Sequence, residues 1–188
     1  MNSKYEISTK ENREFLKASC EELLNFGHRF PSPNGGSYYL GDDGTPWKDR
    51  NRETWITCRM AHVYSLGLML GHEGSEELAD AALKGLKGEL HDEKNGGWYA
   101  GVTPEGDIVP NKQCYAHAFV ILAASSALTA GRPGAKELLE EALAVYDRHF
   151  WNEEEGLACD TWNMEFTVLD DYRGLNANMY TVEAFLAA

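Results

Sequence analysis

Three otherwise apolar stretches of the sequence carry polar and aromatic side chains at helical spacing. In chain order, the three sets are Trp55, Arg59 and His62; Gln113, Tyr115 and His117; and Asn176, Tyr180 and Glu183. The first and third sets have separations of four and then three residues, and Gln113 and His117 are four residues apart, so in a helix each set faces one side. A polar face on an apolar helix requires partners inside the protein or a ligand.

These residue types match the chemistry of a sugar site. Aromatic rings stack on the C–H faces of a sugar, and fixed donors and acceptors read its hydroxyl groups. Each set stands in the first part of its helix, directly after a loop. We therefore expect the three sets to converge beside those loops, with Trp55, Arg59, Tyr115, His117 and Asn176 in the site. Tyr180 completes the predicted set.

A purely structural role remains open for each of these side chains. Arg59 could form an ion pair with a carboxylate such as that of Glu183, and His62 could be a hydrogen-bonded core histidine. Trp55 and Tyr115 could be ordinary core residues, and His117 fits either role. Three loop residues are candidates for pinning the loop in place: Asp160, Trp162 and Asp170.

Composition narrows the class of protein. The chain has 188 residues, which is long enough for one domain with a sizeable core, and 43% of them are hydrophobic. Its formal net charge of -13 argues against nucleic acid and anionic membranes as partners. No apolar run approaches the length of a membrane span, and the segment Met1–Glu6 lacks the apolar core of a signal peptide.

Cysteine usage and motif content exclude several other chemistries. Four cysteines lie far apart without zinc-ligand spacing, which predicts free thiols in a reducing cytoplasm and no metal site. The acidic pairs are too scattered to indicate a glycosidase carboxylate pair. No phosphate-binding glycine motif is present.

Hydrophobic periodicity predicts six helices that alternate in character. The first predicted helix begins with a capping box at Ser8–Glu11. The next four are predicted at 53–70, 75–90, 113–130 and 135–149, and the sixth begins at Arg173. The first, third and fifth carry charge on one face and should lie outside. The second, fourth and sixth are nearly free of charge and should be surrounded by protein.

The loops repeat with a period near 60 residues. Glycines at Gly36, Gly97 and Gly156 stand at matching points of three loops. Each unit therefore consists of an outer helix, a glycine-containing loop and an inner helix. Such repeats form a ring or a solenoid, and three of them form an arc with two apolar ends. We expect another chain, a second copy or further hairpins to cover those ends.

Four motifs resemble the N-acylglucosamine 2-epimerase family, in order and over nearly the whole chain. They are Arg59-Met60-Ala61-His62-Val63-Tyr64-Ser65-Leu66-Gly67, Gly96-Gly97-Trp98-Tyr99-Ala100, Tyr115-Ala116-His117-Ala118-Phe119 and Arg173-Gly174-Leu175-Asn176-Ala177-Asn178-Met179. The resemblance implies an all-α fold, an (α/α)6 barrel of six helical hairpins, of which residues 1–188 form a single domain as the N-terminal half.

The resemblance also implies an activity. The family includes aldose–ketose isomerases that act on mannose or sulfoquinovose, and 2-epimerases. These enzymes use no redox cofactor and move a proton through an enediol-like species. Trp55, Arg59, Tyr115 and Asn176 match positions expected to touch sugar hydroxyls.

The chain departs from the family pattern in two ways. The two histidines assigned to proton transfer lie in the family's second half, and Tyr180 stands where the pattern has histidine. Tyrosine does not titrate near neutral pH. We therefore expect a mannose-type isomerase in half-barrel form that lacks the family's usual proton-transfer pair, with a monosaccharide as substrate. A 2-epimerase or a non-catalytic sugar-binding relative is the alternative, and a homodimer or a second chain is the expected partner.

Overall fold

Six helices and nine two- or three-residue strands make up the computed structural model, which describes residues 6–188. Residues 1–5 of the N-terminal segment discussed above lie outside this range. The helices are α1 (Lys10–Gly27), α2 (Thr54–Met69), α3 (Ser75–Lys87), α4 (Cys114–Thr129), α5 (Ala135–His149) and α6 (Leu175–Ala187). No helix in residues 6–188 is long and apolar enough to cross a membrane.

The helices form three hairpins in two layers. Helices α2, α4 and α6 lie side by side as the inner layer, while α3 packs against α2 and α5 packs against α4. Arg132, in the turn before α5, bonds both carboxylate oxygens of Asp80 on α3 and so joins the second and third hairpins on the outside. The predicted order of outer helix, loop and inner helix is confirmed.

Burial differs among the three inner helices. Helix α4 is buried along nearly its whole length, because it has neighbours on both sides. On α6, by contrast, Leu175, Val182 and Leu186 are exposed. The prediction that inner helices are surrounded by protein is confirmed for α4, but it is wrong for α6 in this chain because that helix has a partner on one side only.

Helix α1 begins one residue later than a capping box at Ser8 would place it. Thr9 is the N-cap, and its hydroxyl accepts a hydrogen bond from the backbone N–H of Asn12. Of the apolar stripe on this helix, Leu24 is buried but Leu16 and Leu23 are exposed. Tyr64 of α2 donates a hydrogen bond to the carbonyl of Leu24, which ties α1 to the inner layer.

Short strands pair both within single loops and between neighbouring loops. The pairs are β1 (Tyr39–Leu40) with β2 (Pro46–Trp47), β3 (Arg52–Glu53) with β4 (Gly101–Val102), β4 with β5 (Ile108–Val109), β6 (Asn111–Gln113) with β9 (Thr161–Asn163), and β7 (Trp151–Asn152) with β8 (Leu157–Ala158). All are antiparallel. The β3–β4 and β6–β9 pairs connect successive repeats and bring the starts of the inner helices to one end of the molecule.

The glycine repeat has a conformational cause. Gly36, Gly97 and Gly156 all have positive φ, at 81°, 72° and 64°. This region is sterically costly for residues with a Cβ atom. The period near 60 residues thus marks equivalent tight turns in the three loops.

Candidate functional site

Arg59 lies at the centre of an aromatic group built from all three inner helices. Its guanidinium carbon is 5.0 Å from the ring centroid of Trp55, 4.9 Å from that of Phe119 and 6.0 Å from that of Tyr180. It also donates a 3.3 Å hydrogen bond to the hydroxyl oxygen of Tyr115. We call Trp55, Arg59, Tyr115, Phe119 and Tyr180 the Arg59 cluster.

The rings of the Arg59 cluster hold one another in fixed orientations. Tyr115 meets Trp55 at 5.9 Å and Tyr180 at 5.1 Å, both edge to face. Phe119 lies 4.9 Å from Tyr180. Edge-to-face contacts of this kind are favourable for aromatic pairs, so the cluster is preorganised.

The positive charge of Arg59 is not neutralised by a carboxylate. The guanidinium forms no ion pair with any residue in 6–188. The alternative prediction, a pair with Glu183, is therefore wrong. Glu183 is exposed, whereas Arg59 is half-buried among rings whose faces attract a cation.

Tyr115 can donate a hydrogen bond toward a ligand. Its oxygen accepts from Arg59, which leaves its own proton available. Burial raises the pKa of Tyr115, while Arg59 acts in the opposite direction. The net increase keeps the hydroxyl protonated at neutral pH.

A cleft of about 420 Å³ opens beside Tyr115. Residues from the second and third loops and from the starts of α4 and α6 line it: Gln113, Tyr115, Asp160, Thr161, Tyr172, Gly174, Leu175, Asn176 and Ala177. Its volume lies in the range of small-molecule sites. Asn176 is exposed there, so its amide can serve as donor or acceptor.

The structure does not bring His117 to the Arg59 cluster. The ring is fully buried, its Nδ1 bonds the carbonyl of Gln113 at 2.8 Å, and its Nε2 accepts from the backbone N–H of Trp98 at 3.1 Å. Burial lowers the pKa of His117 to about 3, against the hydrogen bond to Gln113, which raises it. Both nitrogens are occupied by the backbone, so His117 supports the Gly97 loop and has no nitrogen left for a sugar.

His62 is also hydrogen-bonded within the protein. Its Nδ1 lies 2.7 Å from the hydroxyl oxygen of Ser126, whose proton is donated to the carbonyl of Leu122. His62 therefore donates through Nδ1. The prediction of a hydrogen-bonded histidine is confirmed, although the ring is only half-buried.

The three loop residues singled out from the sequence, Asp160, Trp162 and Asp170, hold the third loop in place through hydrogen bonds to the backbone. Asp160 accepts from the backbone N–H of Gly174, at the start of α6, and Asp170 accepts from that of Tyr172. The indole of Trp162 donates to the carbonyl of His149. These contacts fix the wall of the cleft and confirm the structural interpretation.

Two residues that the sequence reading missed lie next to the cluster. The carboxylate oxygen Oε2 of Glu53 accepts 2.5 Å hydrogen bonds from the indole N–H of Trp55 and from the hydroxyl of Tyr39. The position of Glu53, two residues before Trp55 at the start of a charge-poor helix, was an available signal. Tyr39 gave none, because its position depends on folding of the first loop.

Comparison with known proteins identifies the family. The sequence model of the N-acylglucosamine 2-epimerase (GlcNAc 2-epimerase) family matches residues 35–188. The chain belongs to the N-acylglucosamine 2-epimerase family. This family membership agrees with the motifs around Arg59 and Asn176.

Curated relatives of this chain include D-mannose isomerases. The chain is 42% identical to the D-mannose isomerase of Thermobifida fusca over 94% of its own length and 44% of the relative's. It is 36% identical to that of Pseudomonas cannabina pv. alisalensis over 96% of the chain and 43% of the relative. The chain thus spans less than half the length of these relatives.

Solved structures of the N-acylglucosamine 2-epimerase family share the fold. A crystal structure of D-mannose isomerase matches with a TM-score of 0.84 and 26% identity, over 93% of this chain and 47% of that one. Cellobiose 2-epimerase from Bacillus thermoamylovorans matches with a TM-score of 0.80 at 22% identity, over 94% and 50%. The three hairpins are therefore half of an (α/α)6 barrel.

Proposed function

We propose that this chain forms the sugar-binding half of an aldose–ketose isomerase acting on a mannose-like monosaccharide. The observation that carries the proposal is the Arg59 guanidinium, which has no carboxylate partner in residues 6–188 and is held among aromatic rings. It donates to Tyr115, which lines the open cleft. The D-mannose isomerase relatives support the substrate class.

The proposed reaction moves a proton between C2 and C1 of the open-chain sugar. A base removes the C2 proton, the electrons shift toward the C1 carbonyl oxygen, and that oxygen takes up a proton to give the enediol. The enediol then takes a proton at C1 while its C2 hydroxyl loses a proton, which leaves the ketone at C2. Arg59 and Tyr115 supply donors where oxyanion character develops. The ring of Trp55 stacks on the C–H face of the sugar, and the amide of Asn176 hydrogen-bonds to one of its hydroxyl groups.

A base for the proposed reaction would come from outside the Arg59 cluster. No histidine ring of residues 6–188 packs against the rings of the cluster, whose ring contacts are all with tryptophan, tyrosine or phenylalanine. We propose that further hairpins, in a second chain or a second copy, close the ring and supply it. Exposed apolar side chains on α1 and α6, such as Leu23 and Leu186, support such an interface.

A cytoplasmic location is part of this proposal. It is supported by the four cysteines, Cys20, Cys58, Cys114 and Cys159, which are free thiols in the structure.

The test is proton NMR of the chain incubated in D2O with mannose, fructose and N-acetylmannosamine. Isomerisation of mannose would place deuterium at C1 of the fructose that is formed. Epimerisation would place it at C2 with the C2 epimer as product. Absence of exchange, with a folded sample that also fails to bind any of these sugars, would contradict the proposal.

A sugar-binding relative without turnover is the second candidate, and Tyr180 favours it. Its ring packs against Tyr115 and Phe119 at a position where the family pattern has histidine. A Tyr180→His variant that gains affinity for mannose without exchange in D2O would support the binding role. Exchange by that variant would count against it.

A further inference from the structure

Glu53 occupies an unusual position at the edge of the Arg59 cluster. It is the last residue of β3 and directly precedes α2. Its backbone is fixed by pairing with Gly101 of the neighbouring repeat. One carboxylate oxygen, Oε2, accepts hydrogen bonds from both Tyr39 and Trp55 at 2.5 Å. The carboxylate is therefore held in place by the strand and by two neutral donors.

The second carboxylate oxygen of Glu53 has no partner within residues 6–188. No hydrogen bond or ion pair reaches Oε1. It is not sealed inside the protein either, because the only buried and unpartnered side-chain oxygen or nitrogen in the described range is Oδ1 of Asn111. Glu53 is half-buried, so Oε1 is an immobilised acceptor that reaches solvent.

Glu53 and Arg59 approach the same indole without neutralising each other. Glu53 accepts from the indole N–H of Trp55, and the guanidinium of Arg59 lies 5.0 Å from its ring centroid. The two residues form no ion pair. A strong acceptor and a strong donor are thus both left open beside one aromatic face, which is the arrangement that recognises a polyhydroxylated ligand.

We propose that Glu53 is a further sugar-binding residue, which holds Trp55 through Oε2 and accepts a hydrogen bond from a sugar hydroxyl through Oε1. This inference rests on the proposed function of the Arg59 cluster. Tyr39 acts through Glu53 as a positioning residue. Burial and the hydrogen bond to Glu53 both raise the pKa of Tyr39, so it remains a donor.

The Glu53→Gln variant separates the two roles of the carboxylate. The amide oxygen can accept both bonds from Tyr39 and Trp55, and the NH2 group then replaces Oε1. A donor thereby takes the place of an acceptor while the indole stays held. Glu53→Asp, which keeps the charge but withdraws it by one methylene, is the second variant.

The experiment is a titration of the 188-residue chain with mannose, monitored through the tryptophan indole signals in 1H–15N NMR spectra. Myo-inositol is the control ligand. We expect Glu53→Gln to keep the Trp55 indole signal near its wild-type position and to weaken mannose binding at least about tenfold. Glu153→Gln is the matched control, because Glu153 accepts the same type of bond from the Trp151 indole in an exposed turn away from the cluster. It should bind mannose as the wild type does.

The outcomes distinguish the two proposals. Wild-type affinity in both Glu53→Gln and Glu53→Asp, together with weakened binding in Arg59→Ala, would overturn the role of Glu53 alone. A displaced Trp55 signal in Glu53→Gln would reduce Glu53 to a positioning residue and overturn the direct contact. A wild-type chain that does not bind mannose, or an Arg59→Ala variant that binds it normally, would overturn the proposed function as well.

Discussion

At the scale of single residues, the same chemical groups serve different roles according to their surroundings. Arg59 is half-buried among aromatic rings and has no ion pair, whereas Arg52 is buried and bonds Glu89 at 2.7 Å. This ion pair joins β3 to the segment that directly follows α3, so the charge of Arg52 is neutralised within the protein. The charge of Arg59 has no carboxylate partner in residues 6–188, and under the proposed function it serves the sugar.

His117 should remain neutral well below neutral pH. Burial lowers its pKa to about 3, and both ring nitrogens are occupied. We expect 15N NMR of the imidazole to show the neutral Nδ1–H form throughout pH 7 to 4.5. Titration of His117 near pH 6.5 would show that the ring reaches solvent and would contradict the structural role.

The buried pair of Lys112 and Asp92 should make stability depend on acid pH. Burial acts to raise the pKa of Asp92, but hydrogen bonds from Lys112 and Asn95 outweigh it, so the net pKa is lowered. A carboxylate with a lowered folded-state pKa stabilises the fold above the unfolded pKa of about 3.9, and this contribution is lost as the pH falls below it.

Urea unfolding of wild type and Asp92→Asn between pH 3 and pH 7 measures that contribution. At pH 7 we expect the variant to lose about 3 kcal/mol of unfolding free energy, because Lys112 is left buried without its counter-ion. The difference between the two proteins should shrink toward pH 3. A difference that does not depend on pH would show that the Asp92 carboxylate is not the titrating group.

At the scale of elements, the glycine at a loop turn allows the loop to pack closely against an inner helix. A Cβ atom on Gly97 would lie 2.6 Å from Nε2 of His117, whereas one on Gly96 would meet nothing within 4 Å. Both residues have positive φ. The Gly97 loop and α4 are thus packed too closely to admit a side chain at Gly97.

The substitutions Gly97→Ala and Gly96→Ala form a matched pair. Each carries the cost of a left-handed alanine, about 1 kcal/mol, but only Gly97→Ala also displaces His117. We expect Gly97→Ala to lower the free energy of unfolding by about 2 kcal/mol more than Gly96→Ala, as measured by urea denaturation. Equal losses would mean that the loop can move away from α4 without cost.

Most elements could be predicted from sequence periodicity, but their surroundings could not. The limits of α5 were predicted correctly. Helices α2 and α4 were placed to within one residue at each end, because each is a charge-poor run bounded by loops. His117 shares the helical spacing of Gln113, yet spacing alone does not say whether that side of α4 faces the cleft or the Gly97 loop. Tyr39 reaches Glu53, 14 residues further along the chain, only because the first loop folds back on itself, and no local pattern predicts that contact.

At the scale of the whole molecule, the half barrel exposes an apolar surface along its last inner helix. Val182, Phe185 and Leu186 of α6 line a groove of about 600 Å³ together with Tyr146 and Trp151. Exposed apolar patches of this kind favour association.

We expect the 188-residue chain to self-associate at micromolar concentration and Leu186→Lys to weaken that association at least about tenfold, because an exposed apolar contact becomes a charge. Sedimentation velocity over a concentration series measures both. Val168→Lys is the control, since Val168 is also exposed but lies in the loop before α6. Equal effects of the two lysines would show that association does not use α6.

The way the Arg59 cluster is shared among three hairpins has a consequence for how the protein folds. Most packing is between neighbouring elements, so each hairpin can add to the one before it as the chain is synthesised. Trp55 and Arg59 belong to the first hairpin, Tyr115 to the second and Tyr180 to the third. The cluster is therefore complete only when the last hairpin has docked, and affinity for a sugar would report that the repeats have been assembled in the right order.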